Sequence, residues 1–236
     1  MRALKETWFE FKGVRSDAMG VMMLVRPERE QPAANGENRQ VAGRSGRLWL
    51  GDGSYDNGAA DVTCIVPEGE MDVVLAWLTG SGWLRFSDEP DRAYQARVAK
   101  GIVRTQPMPR MAAQRFTVQF DCQPFRYLYP EAADIVLTAA GTVYNPGTAA
   151  AQPKLRIEGS GDISVRIDGR WMTFEGVSGG VVVDCRLMEV FDLNETRLMN
   201  GIAQMDEFPV LQSGANLVSW SGGVTRVVIT PRWRYM

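Results

Sequence analysis

The sequence predicts a mainly β fold of two domains, with one helix in the first domain. Three observations support this prediction. Residues 114–122 and 163–167 alternate apolar and polar side chains with the period of a half-buried strand. Turns containing glycine recur at short intervals, as in Asp168-Gly169 and Gly222-Gly223, which is typical of barrels and sandwiches. The 236 residues are enough for two domains of ordinary size.

The segment 69–79 predicts the helix. Met71, Val74, Leu75 and Leu78 follow helical spacing, and acidic residues precede them, where the helix dipole favours negative charge. Gly80 offers a stop at the carboxyl end.

Residues 26–47 predict an arm or long hairpin that leaves the first domain. The segment contains almost no apolar side chain and cannot form a core of its own. Loops of this length without structure are uncommon inside compact domains and are often functional. Its charged side chains are candidates for contact with a neighbouring subunit: Arg26, Glu28, Arg29, Glu30, Arg39, Arg44 and Arg47.

A change of composition at 124–134, with Pro124 and Pro130, predicts the linker. We therefore place the domains at 1–133 and 134–236. The predicted core of the second domain is Leu155, Ile157, Ile163, Val165, Val182, Val227 and Ile229.

Trp171 is the most interesting single residue of the second domain. Asp168-Gly169 reads as a two-residue hairpin turn, which pairs Ile163 with Phe174, Val165 with Met172 and Ile167 with Arg170. In this register Trp171 points away from the apolar face and lies beside Arg166. An aromatic ring beside polar groups can hold a sugar, although a tryptophan that covers a loop or an interface looks the same in sequence.

Composition argues against several classes of function. The chain has no histidine, which removes His-based triads and His-ligated metals. Its net charge of −2 lacks the basic excess that direct nucleic-acid binding requires. The sequence has no run of 18 apolar residues that could form a membrane span and no apolar stretch near the start that could form a signal peptide, so we expect synthesis in a cytoplasm.

The remaining candidates for chemistry are weak. The three cysteines, Cys64, Cys122 and Cys185, are widely spaced, so we expect free thiols buried in strands. Carboxylate pairs such as Asp206-Glu207 read as solvated loop charges, and the Asp-Gly pattern at 52–61 lacks the spacing of a calcium loop. We expect no catalytic residue, no cofactor, no metal site and no enzymatic activity.

The order of features along nearly the whole chain resembles the distal tail (Dit) proteins of siphophages, a phage tail component family. The matching pieces, in order, are FEFKG, SDAMGVMML, GRSGRLWLGDGSYDNGAADV, MDVVLAWLTG, WLRFSDEPDRAYQARV, RFTVQFDCQPFRY, PKLRIEGSGDISVRIDG, FPVLQSGANLVSW and VTRVVITPRWR. Each piece is weak, and their collinear order is what makes the resemblance specific.

The resemblance implies an N-terminal β-barrel-like, ring-forming domain with one helix and a C-terminal galectin-like β-sandwich. It implies a structural protein of the virion, at the distal end of the phage tail. There a homo-hexameric ring would join the tail tube protein to tail-tip or receptor-binding proteins, with neither nucleic acid nor membrane as a partner.

Two alternatives remain open. One is a carbohydrate-binding module that contacts the host cell wall, with Trp171 and Arg166 as weak sugar-binding residues. The other is a tail-associated hydrolase with a two-carboxylate mechanism.

Overall fold

The computed structural model describes residues 7–29, 31–108 and 112–236. The chain divides into two compact units, one formed by residues up to Arg126 with Met236, the other by Tyr127–Tyr235. The predicted linker began at about the same place, but the unit boundary precedes the predicted one at 133/134 by seven residues. The reason is that Leu128 already packs against the core of the second unit.

The first unit is one curled sheet with a helix, α1 (Met71–Trp77), and a separate hairpin. The sheet order is β2-β1-β7-β8-β10-β6-β3, with β9 also beside β10, while β4 and β5 form the hairpin. The strands are β1 Phe9–Phe11, β2 Val14–Arg15, β3 Met22–Met23, β4 Ala34–Gln40, β5 Arg47–Tyr55, β6 Gly58–Pro67, β7 Ser81–Phe86, β8 Arg92–Val98, β9 Val103–Met108 and β10 Ala113–Leu128.

Aromatic residues dominate the core of the first unit. The predicted alternation in β10 is confirmed, since Phe116, Val118, Phe120 and Cys122 are all buried. Phe9 of β1 stacks on Trp77 of α1 with ring centroids 5.4 Å apart, which fixes the helix against the sheet.

The helix is shorter than the predicted 69–79. Gly69 has φ +95°, a left-handed conformation that no helical residue adopts, so the helix begins after it. At the other end, Leu78 has ψ 63° and leaves the helix two residues before Gly80. Met71, Val74 and Leu78 are buried, as their spacing predicts.

The second unit is also a curled sheet, in the order β11-β18-β13-β14-β17. In addition, β12 pairs with β18, β15 with β13, and β16 with β15. The strands of this sheet are β11 Ile135–Leu137, β12 Gly141–Asn145, β13 Lys154–Ile167, β14 Arg170–Val177, β15 Gly180–Asp184, β16 Glu189–Asp192, β17 Ala203–Gln204 and β18 Gly214–Thr230. The last strand of the chain, β19 Arg234–Tyr235, pairs with β10.

Six of the seven predicted core residues belong to the core cluster of the second unit, and Val182 does not. In the run Val181–Val183 of β15, Val181 and Val183 face the cluster, while Val182 is buried on the opposite face. An unbroken run of valines gives no period from which the inner face could be chosen. The mainly β fold class with one helix is confirmed for the described residues.

Candidate interaction surfaces

The predicted arm contains the first strand of the β4–β5 hairpin. Arg39 lies in β4, Arg44 in the turn and Arg47 at the start of β5. The hairpin extends beyond the predicted segment, because β5 continues to Tyr55. The predicted arm ended at residue 47 because the next three residues, Leu48, Trp49 and Leu50, are apolar, as is typical of a buried strand. Glu30 lies outside the described residues.

Both faces of the β4–β5 hairpin are open to solvent. Apart from the half-buried Asn35, Leu48 and Tyr55, every residue of the two strands is exposed, including Trp49 and Leu50. Because side chains alternate between faces, Trp49 lies on one face and Leu48 and Leu50 on the other. An isolated two-stranded hairpin is at best marginally stable in water. Such a hairpin is therefore expected to be covered by a partner.

Trp49 has a defined position on its face of the hairpin. Gly36 and Gly51 are cross-strand partners. A Cβ atom at Gly36 would lie 2.6 Å from Trp49 Cζ2, and one at Gly51 would lie 3.0 Å from Trp49 Nε1. The indole therefore lies across the two glycines. It occupies the space that a side chain at either position would need. Its outer side stays accessible, with the residue 49% exposed.

The base of the hairpin is fixed to its own unit at both ends. Arg29 forms ion pairs with Asp88 and with Glu89, the latter at 3.4 Å between Nη1 and Oε2. Glu89 also pairs with Arg126 at 2.6 Å. At the other end, the Tyr55 ring packs edge-on against Phe125, with centroids 5.6 Å apart.

These contacts change the interpretation of the first predicted arm residues. Arg26, Glu28 and Arg29 precede the hairpin, and Arg29 is engaged within its own chain. The residues that the hairpin itself presents are Arg39, Arg44 and Arg47. Sequence reasoning missed Trp49 and the glycine pair. The two glycines of Gly51-Asp52-Gly53 could have suggested that another group packs closely against the backbone of this strand.

Trp171 of the second unit lies where the sequence placed it. The pairs Ile163–Phe174, Val165–Met172 and Ile167–Arg170 are all observed, and Arg166 pairs with Trp171. Trp171 is 47% exposed, and the Arg166 guanidinium carbon lies 5.3 Å from its ring centroid. That distance is within the range of a cation–π contact.

A cleft of about 370 Å³ adjoins Trp171. It is lined by Gly169, Arg170, Trp171, Asp206 and Glu207, and Arg170 pairs with Glu207 at 3.2 Å. An aromatic ring beside carboxylate and guanidinium groups can bind a polar ligand through stacking and hydrogen bonds. The carboxylate pair at 206–207, expected to be only solvated loop charge, thus lies against the predicted tryptophan.

The described residues offer little for nucleophilic or metal chemistry. Burial raises the pKa of each cysteine thiol, Cys64, Cys122 and Cys185, to about 12, so the reactive thiolate is scarce at neutral pH. Cys64 and Cys122 lie in strands, as expected, but Cys185 follows the end of β15. No group of three potential metal ligands occurs among the described residues.

No helix in the described part of the chain combines the length and apolar character needed to cross a membrane. No protein-family model matches the sequence, and a search of curated proteins gave no match.

The fold is similar to that of a solved phage protein, the SPP1 Dit protein (gp 19.1). That protein is described as a paradigm of the hub adsorption apparatus in phages that infect Gram-positive bacteria. The TM-score is 0.74 over 98% of this chain and 99% of that chain, at 18% sequence identity. The distal tail resemblance drawn from the order of sequence features is thereby confirmed at the level of the fold.

Proposed function

We propose that this chain is a structural hub protein of a bacteriophage tail. The observation that carries the proposal is the match of the whole chain, both units included, to the Dit fold. A match to one unit alone would fit many unrelated functions, because one fold of a single domain often serves many functions. In this role the protein forms a hexameric ring at the distal end of the tail. The ring joins the tail tube protein to tail-tip or receptor-binding proteins.

The surfaces of the first unit support a ring-forming role. A closed ring uses a head-to-tail interface, in which each subunit offers one surface and receives a different one. The β4–β5 hairpin is exposed on both faces, and its base contacts its own unit through Arg29 and Tyr55. A fixed base limits the conformational entropy that docking would cost.

Electron microscopy of the purified protein in negative stain tests the proposal. We expect particles with six-fold symmetry. Monomers at every concentration, with or without the co-expressed tail tube protein, would contradict it.

Truncation of the β4–β5 hairpin tests its part in the ring. Replacing residues 35–54 by a short Gly-Ser linker should leave both units folded and abolish the ring. Hexamers as stable as those of the parent would assign the hairpin to another partner.

The carbohydrate-binding alternative is favoured by one observation, the exposed Trp171 with Arg166 over its ring and a polar cleft beside it. Incubation with purified cell-wall glycans tests it. Binding that is lost in Trp171→Ala and kept in Tyr144→Ala, an exposed aromatic of β12, would support a sugar site. Equal binding by both variants would refute it.

A further inference from the structure

The outer end of the β4–β5 hairpin is basic. Arg39, Arg44 and Arg47 are exposed there, and within the described residues none of them has an ion-pair partner. Glu37 is the one carboxylate in the same stretch, 37–50. Trp49 and Leu50, in the same stretch, are exposed apolar side chains on opposite faces of the hairpin. A complementary surface must therefore be acidic and must also offer apolar contact.

The first unit carries a surface of this kind, the patch formed by Glu68, Glu70 and Val73. Both glutamates are exposed and, within the described residues, lack an ion-pair partner, while Val73 is 55% exposed. The backbone of the patch is held in place, since Glu68 N donates to Ala112 O at 2.8 Å.

The hairpin and this patch lie at opposite ends of the same strand. The hairpin leads into β6 at Gly58, and the patch follows β6 after Pro67. Ten residues of extended chain separate the two ends by roughly 30 Å. One copy therefore offers the basic surface at one end of β6 and the acidic surface at the other, as a head-to-tail interface requires.

We propose that the basic end of the β4–β5 hairpin docks on the Glu68–Glu70–Val73 patch of a second copy of this chain. This inference rests on the proposed ring and names the surfaces that close it. Arg44 and Arg47 pair with the two glutamates, while Trp49, which lies on the same face of the hairpin as Arg47, covers Val73. Trp49 suits such a contact because the Gly36–Gly51 pair already orders its indole, and little rotamer entropy remains to be lost.

A charge-swap experiment tests the pairing. The variants are Arg44→Glu with Arg47→Glu, Glu68→Arg with Glu70→Arg, and all four changes together. Sedimentation velocity over a concentration series measures assembly. Each double variant should raise the midpoint concentration of assembly by at least about tenfold. The fourfold variant should return close to the parent, because the opposite charges then face each other again.

The matched control is Arg186→Glu with Arg197→Glu, which reverses two exposed charges in the second unit and should leave assembly unchanged. Recovery in the fourfold variant also shows that neither double change damaged the fold. If both double variants still assemble as readily as the parent, the proposed pairing is wrong, but the proposed ring is not contradicted. Loss of the ring without recovery in the fourfold variant also overturns it. A parent that never assembles overturns the ring and the pairing together.

Discussion

Asp184 is a buried charged residue of the second unit that accepts four hydrogen bonds. It is 3% exposed, pairs through both oxygens with Arg232 at 2.7 and 2.8 Å, and accepts backbone N–H groups of Arg186 and Leu187. Burial alone would raise its pKa. The bonds from Arg232 and from the two backbone groups outweigh that effect and lower the pKa to about 2.

The first prediction concerns the substitution Asp184→Asn. It leaves Arg232 without its counter-charge, so it should lower the free energy of unfolding by about 3 kcal/mol. Urea denaturation at pH 7 measures this loss, with the exposed Asp206→Asn as control.

The depressed pKa also gives this residue a pH dependence. The unfolded carboxyl has a pKa near 3.8, so its contribution of roughly 2 kcal/mol is complete above that pH and is lost as the pH falls towards 2. Asp184→Asn should flatten the unfolding curve against pH over this window. An unchanged slope would mean that other carboxylates control acid stability.

The second prediction concerns the thiols. Cys64, Cys122 and Cys185 are buried and free, and burial holds each pKa at about 12. A thiol reagent at pH 8 should label none of them in the native protein and all three in denaturant. Rapid labelling of one thiol under native conditions would show local opening around it.

At the scale of elements, the β13–β14 hairpin depends on the conformation of its turn. Asp168 and Gly169 both have positive φ, 46° and 89°, as a type I′ turn requires. Asp168 Oδ1 also accepts the backbone N–H of Leu217 at 2.7 Å, which ties the turn to β18.

The third prediction follows from this geometry. Asp168→Ala should lower the free energy of unfolding by about 1–2 kcal/mol, because alanine disfavours the left-handed conformation and cannot accept the hydrogen bond. Asp168→Asn should keep most of the stability, since asparagine adopts positive φ readily and retains a carbonyl oxygen. Thermal melts of the two variants measure both losses of stability relative to the parent. Equal losses would show that the charge of Asp168, rather than its shape, supports the turn.

The same hairpin shows what sequence patterns can predict. A two-residue turn allows one register, so the outward position of Trp171 beside Arg166 followed from Asp168-Gly169 alone. The cleft beside Trp171 did not follow, because Asp206 and Glu207 come from a distant loop that no periodicity connects to β14. The inward face of β15 and the extent of the β4–β5 hairpin were predicted wrongly, because both segments place apolar side chains on two faces.

At the scale of the whole molecule, each unit has a core of its own. Two units were predicted from the chain length and from the change of composition at 124–134. Their boundary was harder to predict, because β10 runs through it without a break as far as Leu128. Pro124 is compatible with that strand, although proline was the sequence signal for a linker.

The last prediction concerns the independence of the second unit. The separate core implies that residues 127–236 fold alone and melt cooperatively. Residues 134–236, the domain predicted from sequence, should melt at a lower temperature. The shorter piece lacks the buried Tyr127 and the contacts of Leu128 and Ala132 with the core, and it also loses the hydrogen bond from Leu128 N to Trp233 O at 3.2 Å. Removing a partly buried leucine and a buried tyrosine should lower the free energy of unfolding by about 2–4 kcal/mol.

Calorimetry of the two pieces measures the difference in melting temperature. Identical melting temperatures would place residues 127–133 outside the cooperative unit, and absence of a cooperative transition in both would show that the second unit depends on the first.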